Sequence, residues 1–192
     1  EYNFDFGQEL LNRDEVRETL GTEKYIGGLK INYNGHLHPL NLCIGEADAA
    51  SDLGVVINEK SPVTKIIHGA KPVVETSQGS VEADFVVLAG NAYHFLEPKL
   101  RGAVLPVKSF IIGSEPLSTD LVNRINPQDL AVCDPNYILE YFRLSADKRL
   151  LFGRRFPYFG DNPDIIKKAL IPKMLQVYPC LLYTSDAADD GL

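Results

Sequence analysis

The run GHLHP presents two histidines, His36 and His38, between a predicted turn at Asn34-Gly35 and Pro39. Residues two apart on an extended segment point to the same side, so both imidazoles can serve one ligand. Such a histidine can hydrogen-bond a bound group or act as a base near neutral pH. The alternative, which spacing alone favours, is a pair of turn histidines that satisfy neighbouring backbone groups. A metal ion would need a third ligand, and we predict no metal site.

The run Asp84–Ala89, which is apolar from Phe85 onward, is followed by Gly90 and Asn91. Its lack of polarity on either face predicts a buried strand. A buried strand that ends in glycine is how α/β proteins bring backbone close to a nucleotide. Asn91 can also cap a short helix predicted over Tyr93–Leu96, and a cap alone is the simpler interpretation.

The segment Tyr137–Gly153 has the pattern of a β-hairpin whose first arm carries Tyr141 and Arg143. A guanidinium group binds a carboxylate through paired N–H groups, which makes Arg143 a candidate anchor for an acidic substrate. The alternative is an arginine that pairs across the strands or lies in solvent. Tyr137 is predicted to share the face of Tyr141, where the two rings line a cavity or pack.

The other elements alternate between helix and strand in the first half of the chain, and strands dominate the second half. The first half is predicted to form a helix over Leu10–Leu20, a strand over Tyr25–Tyr33, a helix from Pro39 to Gly54 with Cys43 in the core, and strands over Val55–Asn58, Val63–Ile67 and Val73–Thr76. The second half is predicted to form a strand over Val104–Ser114, a helix from Ser118 to Ile125, a strand over Ala131–Asp134, and a helix from Pro163 towards Tyr178 that Pro172 kinks. This order indicates a mixed α/β fold with a separate antiparallel subdomain.

The composition of the chain argues against several classes of protein. The chain has a formal net charge of −7 and no run of lysine or arginine, which argues against binding to nucleic acid or an anionic membrane. No apolar run approaches the ~20 residues that a membrane helix needs. Cys43 and Cys133 are far apart, a pattern that favours a reducing compartment over a disulfide framework. We therefore expect a cytoplasmic protein, and the oligomeric state stays open.

Both ends of the chain suggest an internal piece of a longer protein. The single methionine is Met174, and no G-x-G-x-x-G fingerprint occurs in the sequence. The final run, Cys180–Leu192, resembles a translated sequencing adapter, so we expect it to be an artefactual or disordered tail.

Four runs resemble the FAD-dependent oxidoreductases of the D-amino-acid oxidase superfamily: GHLHPLNLCIGEADAA, SPVTKI, VVLAGNAY and YFRLSADKRLLFG. The resemblance implies the middle part of an FAD-binding Rossmann-type domain interleaved with an antiparallel-sheet substrate domain. It divides the chain into a substrate-domain entry (1–34), part of the FAD-binding domain (35–100), part of the substrate-binding domain (101–179) and the tail (180–192).

The resemblance also implies roles for individual residues. Arg154 departs from the family, whose members carry consecutive glycines after the hairpin, so its side chain either crowds a backbone contact or lines the substrate route. The residues expected near FAD are Val63 at the adenine, Ala89, Gly90 and Asn91 near the pyrophosphate, and His36, His38 and Pro39 close to the flavin. The residues expected to act on substrate are His38, Tyr141 and Arg143.

The activity that the resemblance implies is oxidation of the C–N bond of a small amine by hydride transfer to FAD. The imine product would hydrolyse in water, and oxygen would reoxidise the flavin. One alternative keeps the fold and changes the substrate to glycine, sarcosine or a D-amino acid. Another is a non-catalytic binding module. The 192 residues alone are expected neither to hold FAD nor to turn over substrate.

Overall fold

The computed structural model describes residues 7–91, 96–100, 102–104, 107–155 and 162–183. The chain separates into two compact units. The continuous unit is Pro39–Val107, and the discontinuous unit combines Glu1–His38 with Lys108–Leu192. The chain therefore leaves the discontinuous unit once and later returns to it.

Short strands and helices alternate along the chain. The strands are β1 (Gln8–Asn12), β2 (Gly27–Ile31), β3 (Val63–Ile67), β4 (Val73–Thr76), β5 (Ser80–Glu82), β6 (Ser109–Gly113), β7 (Val132–Cys133), β8 (Glu140–Leu144) and β9 (Leu150–Arg155). The helices are α1 (Arg13–Leu20), α2 (Pro39–Asp52), α3 (Thr119–Ile125) and α4 (Pro163–Val177), with 3-10 turns at Pro98–Leu100 and Pro179–Tyr183. Every strand pairing within the described residues is antiparallel. The predicted mixed α/β character is confirmed.

Asn12 marks the boundary between β1 and α1. Its side-chain oxygen accepts the Glu15 N–H at 3.1 Å, and the Glu15 carboxylate accepts the Asn12 N–H at 2.7 Å. This capping box fixes the helix start, so the prediction of a helix over the whole of Leu10–Leu20 is wrong at its first three residues, which pair with β2 instead. Gly21 ends α1 with φ +58, and a Cβ there would come closer than 3.0 Å to the backbone of α3.

A four-stranded sheet in the order β6-β9-β8-β7 forms the centre of the discontinuous unit. Phe142 of β8 stacks on Phe152 of β9 at 5.9 Å between ring centroids and meets the edge of Tyr178 at 5.6 Å. The predicted hairpin is therefore confirmed in strands β8 and β9. The rest of this core is Leu117, Ile125, Leu144, Leu150, Met174, Val177 and Leu181.

Helices α3 and α4 begin where the sequence predicts. The Ser118 hydroxyl accepts the Leu121 N–H at 3.3 Å, and Asn162 caps α4 with Pro163 in its first turn. Pro172 lies inside α4, which continues to Val177. Leu181, in the turn that follows, is fully buried. The structure thus places the first residues of the expected tail in the fold.

The continuous unit contains α2 and an antiparallel sheet in the order β3-β4-β5. Two strand predictions in it are wrong: Val55–Asn58 and Asp84–Ala89 form no strand, and Phe85 is 88% exposed. A strand needs a neighbour for its backbone hydrogen bonds, and the sheet within the described residues stops at β5. The expected burial of Cys43 is also wrong, because no residue of α2 is buried.

Two further predictions fall partly on residues that the structure does not describe. Residues 93–95 of the predicted helix Tyr93–Leu96 lie outside the described ranges, as do residues 105 and 106 of the predicted strand Val104–Ser114. Of the latter, Ser109–Gly113 forms strand β6.

The discontinuous unit contains two tyrosines whose protonation couples to folding. Burial raises the pKa of the Tyr25 and Tyr178 phenols well above 10.0, and at Tyr25 the charges of Asp134 and Glu140 raise it further. A raised folded-state pKa gives stability that is present below the unfolded-state pKa and is lost as the pH rises above it.

We therefore expect the free energy of unfolding to fall as the pH rises above about 10. Urea unfolding across the range from neutral to strongly alkaline pH measures this dependence. In the matched variants Tyr25→Phe and Tyr178→Phe, the free energy of unfolding should each time fall less steeply with pH. An equally steep fall in the wild type and the double variant would contradict the role given to these two phenols.

Candidate functional site

A cavity of about 360 Å³ lies within the continuous unit. Val63, Ala89, Gly90 and Asn91, four residues predicted to contact a nucleotide, all line it. Side chains of β3 and β4, including Ile66 and Val74, contribute apolar walls. The structure thus brings together residues that lie almost thirty positions apart in the sequence.

Backbone conformation distinguishes Asn91 from its neighbours. Its φ of +52 lies in the left-handed region, which asparagine tolerates better than most residues. The chain therefore turns directly after Gly90, at the edge of the cavity. Most of the helix that Asn91 is predicted to cap lies outside the described ranges, so its role as a cap stays a prediction.

Glu97 lines the same cavity, although it belongs to none of the motifs that the sequence analysis selected. Its carboxylate faces His68 Nε2 at 3.0 Å and accepts the Lys99 N–H at 3.1 Å. The one local signal is its position before Pro98, at the start of a 3-10 turn. It supplies a fixed acceptor group beside otherwise apolar walls.

The outer face of the four-stranded sheet carries Tyr141 and Arg143. Neighbours along a strand alternate between faces, so these two side chains lie opposite the face that Phe142 and Leu144 bury in the core. Across the sheet from them, Leu151 and Gly153 of β9 occupy the same face. Ile111 of β6 lies there as well and is 57% exposed.

Gly153 provides the space in which the Tyr141 ring rests. A Cβ atom at Gly153 would come closer than 3.0 Å to two ring carbons and the hydroxyl oxygen of Tyr141. A side chain at position 153 therefore displaces the tyrosine. Tyr137, in contrast, precedes β8 and is 99% exposed, so the prediction that it shares the strand face of Tyr141 is wrong.

Arg143 forms hydrogen bonds with residues of the GHLHP run. Its Nη1 donates to Leu144 O at 3.1 Å and lies 3.3 Å from His36 Nδ1, and its Nη2 donates to Leu37 O at 3.2 Å. The opposite nitrogen of His36, Nε2, lies 2.8 Å from Asp129 O. The structure therefore places His36 beside Arg143, a pairing that no spacing in the sequence revealed.

Arg143 still has donors for a ligand. Of the five N–H groups of a guanidinium, three are used by these contacts. The Nε–H and one Nη2–H have no acceptor among the residues that the structure describes. Two N–H groups are what a carboxylate needs for a bidentate contact.

Arg154 lies on the other face of the sheet from Tyr141 and Arg143. It stands across from Glu140, which is 3% exposed and whose carboxylate pairs with Lys24 Nζ. Arg154 Nε is buried without a hydrogen-bond partner among the residues that the structure describes. The position of Arg154 therefore does not favour a role on the substrate route. The glycine that a neighbouring side chain approaches closely is Gly153, which contacts Tyr141.

His38 and Pro39 lie at the boundary between the two units, where α2 begins, and both are exposed. Their expected approach to a flavin stays a prediction, as does that of His36. Within the described ranges, no group of three or more histidine, cysteine, aspartate or glutamate side chains is arranged to hold a metal ion. No helix in those ranges is long and apolar enough to cross a bilayer.

Comparisons with known proteins connect these features to a family. The chain is 41% identical over 175 residues to gamma-glutamylputrescine oxidoreductase of Escherichia coli strain K12, covering 90% of this chain and 41% of the relative. It is also 41% identical over 186 residues to the probable oxidoreductase OrdL of Haemophilus influenzae, covering 93% of this chain and 42% of the relative. The chain thus spans about two fifths of the length of the curated relatives it matches.

Among solved structures, glycine oxidase from Geobacillus kaustophilus matches with a TM-score of 0.67 over 91% of this chain and 47% of that one. At 18% identity this match shows the shared fold alone. The family described as FAD dependent oxidoreductase, DAO, matches residues 1–189. The chain therefore belongs to the DAO family of FAD-dependent oxidoreductases.

Proposed function

We propose that the protein containing this sequence is a flavin-dependent amine oxidase whose substrate carries a carboxylate away from the amine that is oxidised. The observation that carries the proposal is Arg143, whose guanidinium keeps two N–H donors on the outer sheet face beside Tyr141. The 41% identity to gamma-glutamylputrescine oxidoreductase supports a substrate of this class, because a gamma-glutamyl amine carries a carboxylate at the end remote from its amine.

In this proposal the continuous unit belongs to the FAD-binding domain and the discontinuous unit to the substrate domain. The cavity suits part of a dinucleotide, since a volume of about 360 Å³ and largely apolar walls fit a flat ring. Gly90 and Asn91 are among the residues that line it. Val63, Ala89, Gly90 and Asn91 would hold that part. The chemistry that bound FAD would supply is acceptance of a hydride from the carbon next to the amine nitrogen.

The chain's own residues bind and orient the substrate. Arg143 holds the carboxylate through its two remaining N–H groups, which fixes the distance of the amine from the sheet. The Tyr141 ring and Ile111 offer an apolar surface, and a less hydrated amine loses its proton more readily. The neutral amine is the form that can be oxidised. The cytoplasmic location and the role of His38 stay predictions.

A pair of substrates tests the proposal. The flavin-loaded protein should produce hydrogen peroxide from gamma-glutamylputrescine with a kcat/KM roughly 10- to 100-fold higher than from putrescine, which lacks the carboxylate. Glycine, sarcosine and D-alanine test the other oxidase classes in the same assay. Preference for one of those three, or no peroxide from any amine, would contradict the proposal.

A further inference from the structure

We propose that His36 is a positioning residue, whose ring is held by Asp129 and sets the orientation of the Arg143 guanidinium for the substrate carboxylate. This inference rests on the proposed function, because it assigns His36 a purpose through Arg143. Three separate segments of the discontinuous unit, at residues 36–37, 129 and 143–144, meet in this arrangement.

The hydrogen-bond partners of His36 define which ring nitrogen carries the proton. Nε2 faces two acceptors of Asp129, the backbone oxygen at 2.8 Å and the carboxylate Oδ1 at 3.4 Å. Nε2 must therefore donate. Nδ1 then has a free lone pair, and it faces Arg143 Nη1 at 3.3 Å, a group that can only donate. A single tautomer satisfies both sides of the ring.

The same arrangement restricts the guanidinium group. Arg143 Nη1 is shared between His36 and Leu144 O, and Nη2 donates to Leu37 O. With contacts on both terminal nitrogens, the group cannot rotate without breaking hydrogen bonds. A guanidinium that is already ordered loses less conformational freedom when it binds a ligand, so the His36 contact improves carboxylate binding without touching the substrate.

Three substitutions of His36 distinguish its contact with Arg143 from its contact with Asp129. His36→Asn puts an amide oxygen near the place of Nδ1 and keeps an acceptor for Arg143. His36→Gln keeps a donor near Asp129 but loses the acceptor for Arg143. His36→Phe removes both hydrogen bonds but keeps a planar ring. Arg149→Met, at a partly exposed residue of the same compact unit that pairs with Asp147, is the matched control.

The test compares KM for gamma-glutamylputrescine and for putrescine in the flavin-loaded protein. His36→Phe and His36→Gln should raise KM for the carboxylated amine about tenfold, with kcat and the KM for putrescine unchanged. His36→Asn should recover most of the loss, and Arg149→Met should leave both KM values as they are. If His36 had a merely structural role, its substitution would change KM for both amines and kcat together.

Nitrogen NMR of the His36 ring supplies a readout that needs no substrate. The inference predicts a protonated Nε2 and an unprotonated Nδ1. A proton on Nδ1, or an unchanged KM for the carboxylated amine in His36→Phe, would overturn the inference. Wild-type protein that does not distinguish the two amines would instead contradict the proposed function, which separates the two failures.

Discussion

Replacing Gly153 by alanine is expected to displace the Tyr141 ring and to lower the free energy of unfolding by about 1–3 kcal/mol. The added methyl group would come closer than 3.0 Å to three atoms of the Tyr141 side chain. Because Tyr141 stands next to Arg143 on the same sheet face, the displaced ring should also disturb substrate binding. Chemical unfolding measures the first effect, and KM for gamma-glutamylputrescine measures the second.

Gly113→Ala is the matched control for this experiment. Gly113 lies on β6 of the same sheet, and a Cβ there would sit at an ordinary 3.6 Å from Leu151. We expect this variant to keep both stability and KM near the wild-type values. Combining Gly153→Ala with Tyr141→Ala should remove the clash, so the two changes should be strongly non-additive. Additive effects would mean that the ring does not rest on Gly153.

Replacing Arg143 by methionine is expected to raise KM for gamma-glutamylputrescine by roughly 10- to 100-fold, which is the range for losing a hydrogen bond to a charged group. The KM for putrescine should change little, because that amine offers no carboxylate. Arg143→Lys should not restore binding, since an ammonium group lacks the planar fork that reaches His36, Leu37 and a ligand together. Steady-state kinetics with the two amines measures these effects.

Arg149→Met controls for loss of a positive charge from the same hairpin. The Arg149 guanidinium is partly exposed and pairs with the Asp147 carboxylate at 2.8 Å. Exposed pairs contribute little, so we expect wild-type kinetics from this variant. Equal losses in the Arg143 and Arg149 variants would indicate a general charge effect and contradict a specific anchor.

Local signals in the sequence predicted much of the discontinuous unit. The Ser118 cap, the start of α4 at Pro163 and the β8–β9 hairpin depend on residues a few positions apart, and the structure confirms each of them. The start of α1 was missed by three residues because the Asn12–Glu15 capping box outweighs the apolar pattern that begins at Leu10.

Features that depend on residues far apart in the sequence could not be predicted from it. The apolar composition of Asp84–Ala89 predicted a strand, but a strand exists only where a neighbour accepts its hydrogen bonds, and composition does not report that neighbour. The contact between His36 and Arg143 joins residues 107 positions apart. The sequence identified both as candidates, while their pairing, and the place of Asp129 behind them, came from the fold.

The most direct test of the central claim is anaerobic mixing of gamma-glutamylputrescine with the flavin-loaded protein that contains this sequence. The visible flavin absorbance should bleach with the carboxylated amine, bleach far more slowly with putrescine, and return when oxygen is admitted. Protein that purifies without flavin, or a flavin whose absorbance is unchanged by either amine, would contradict the account.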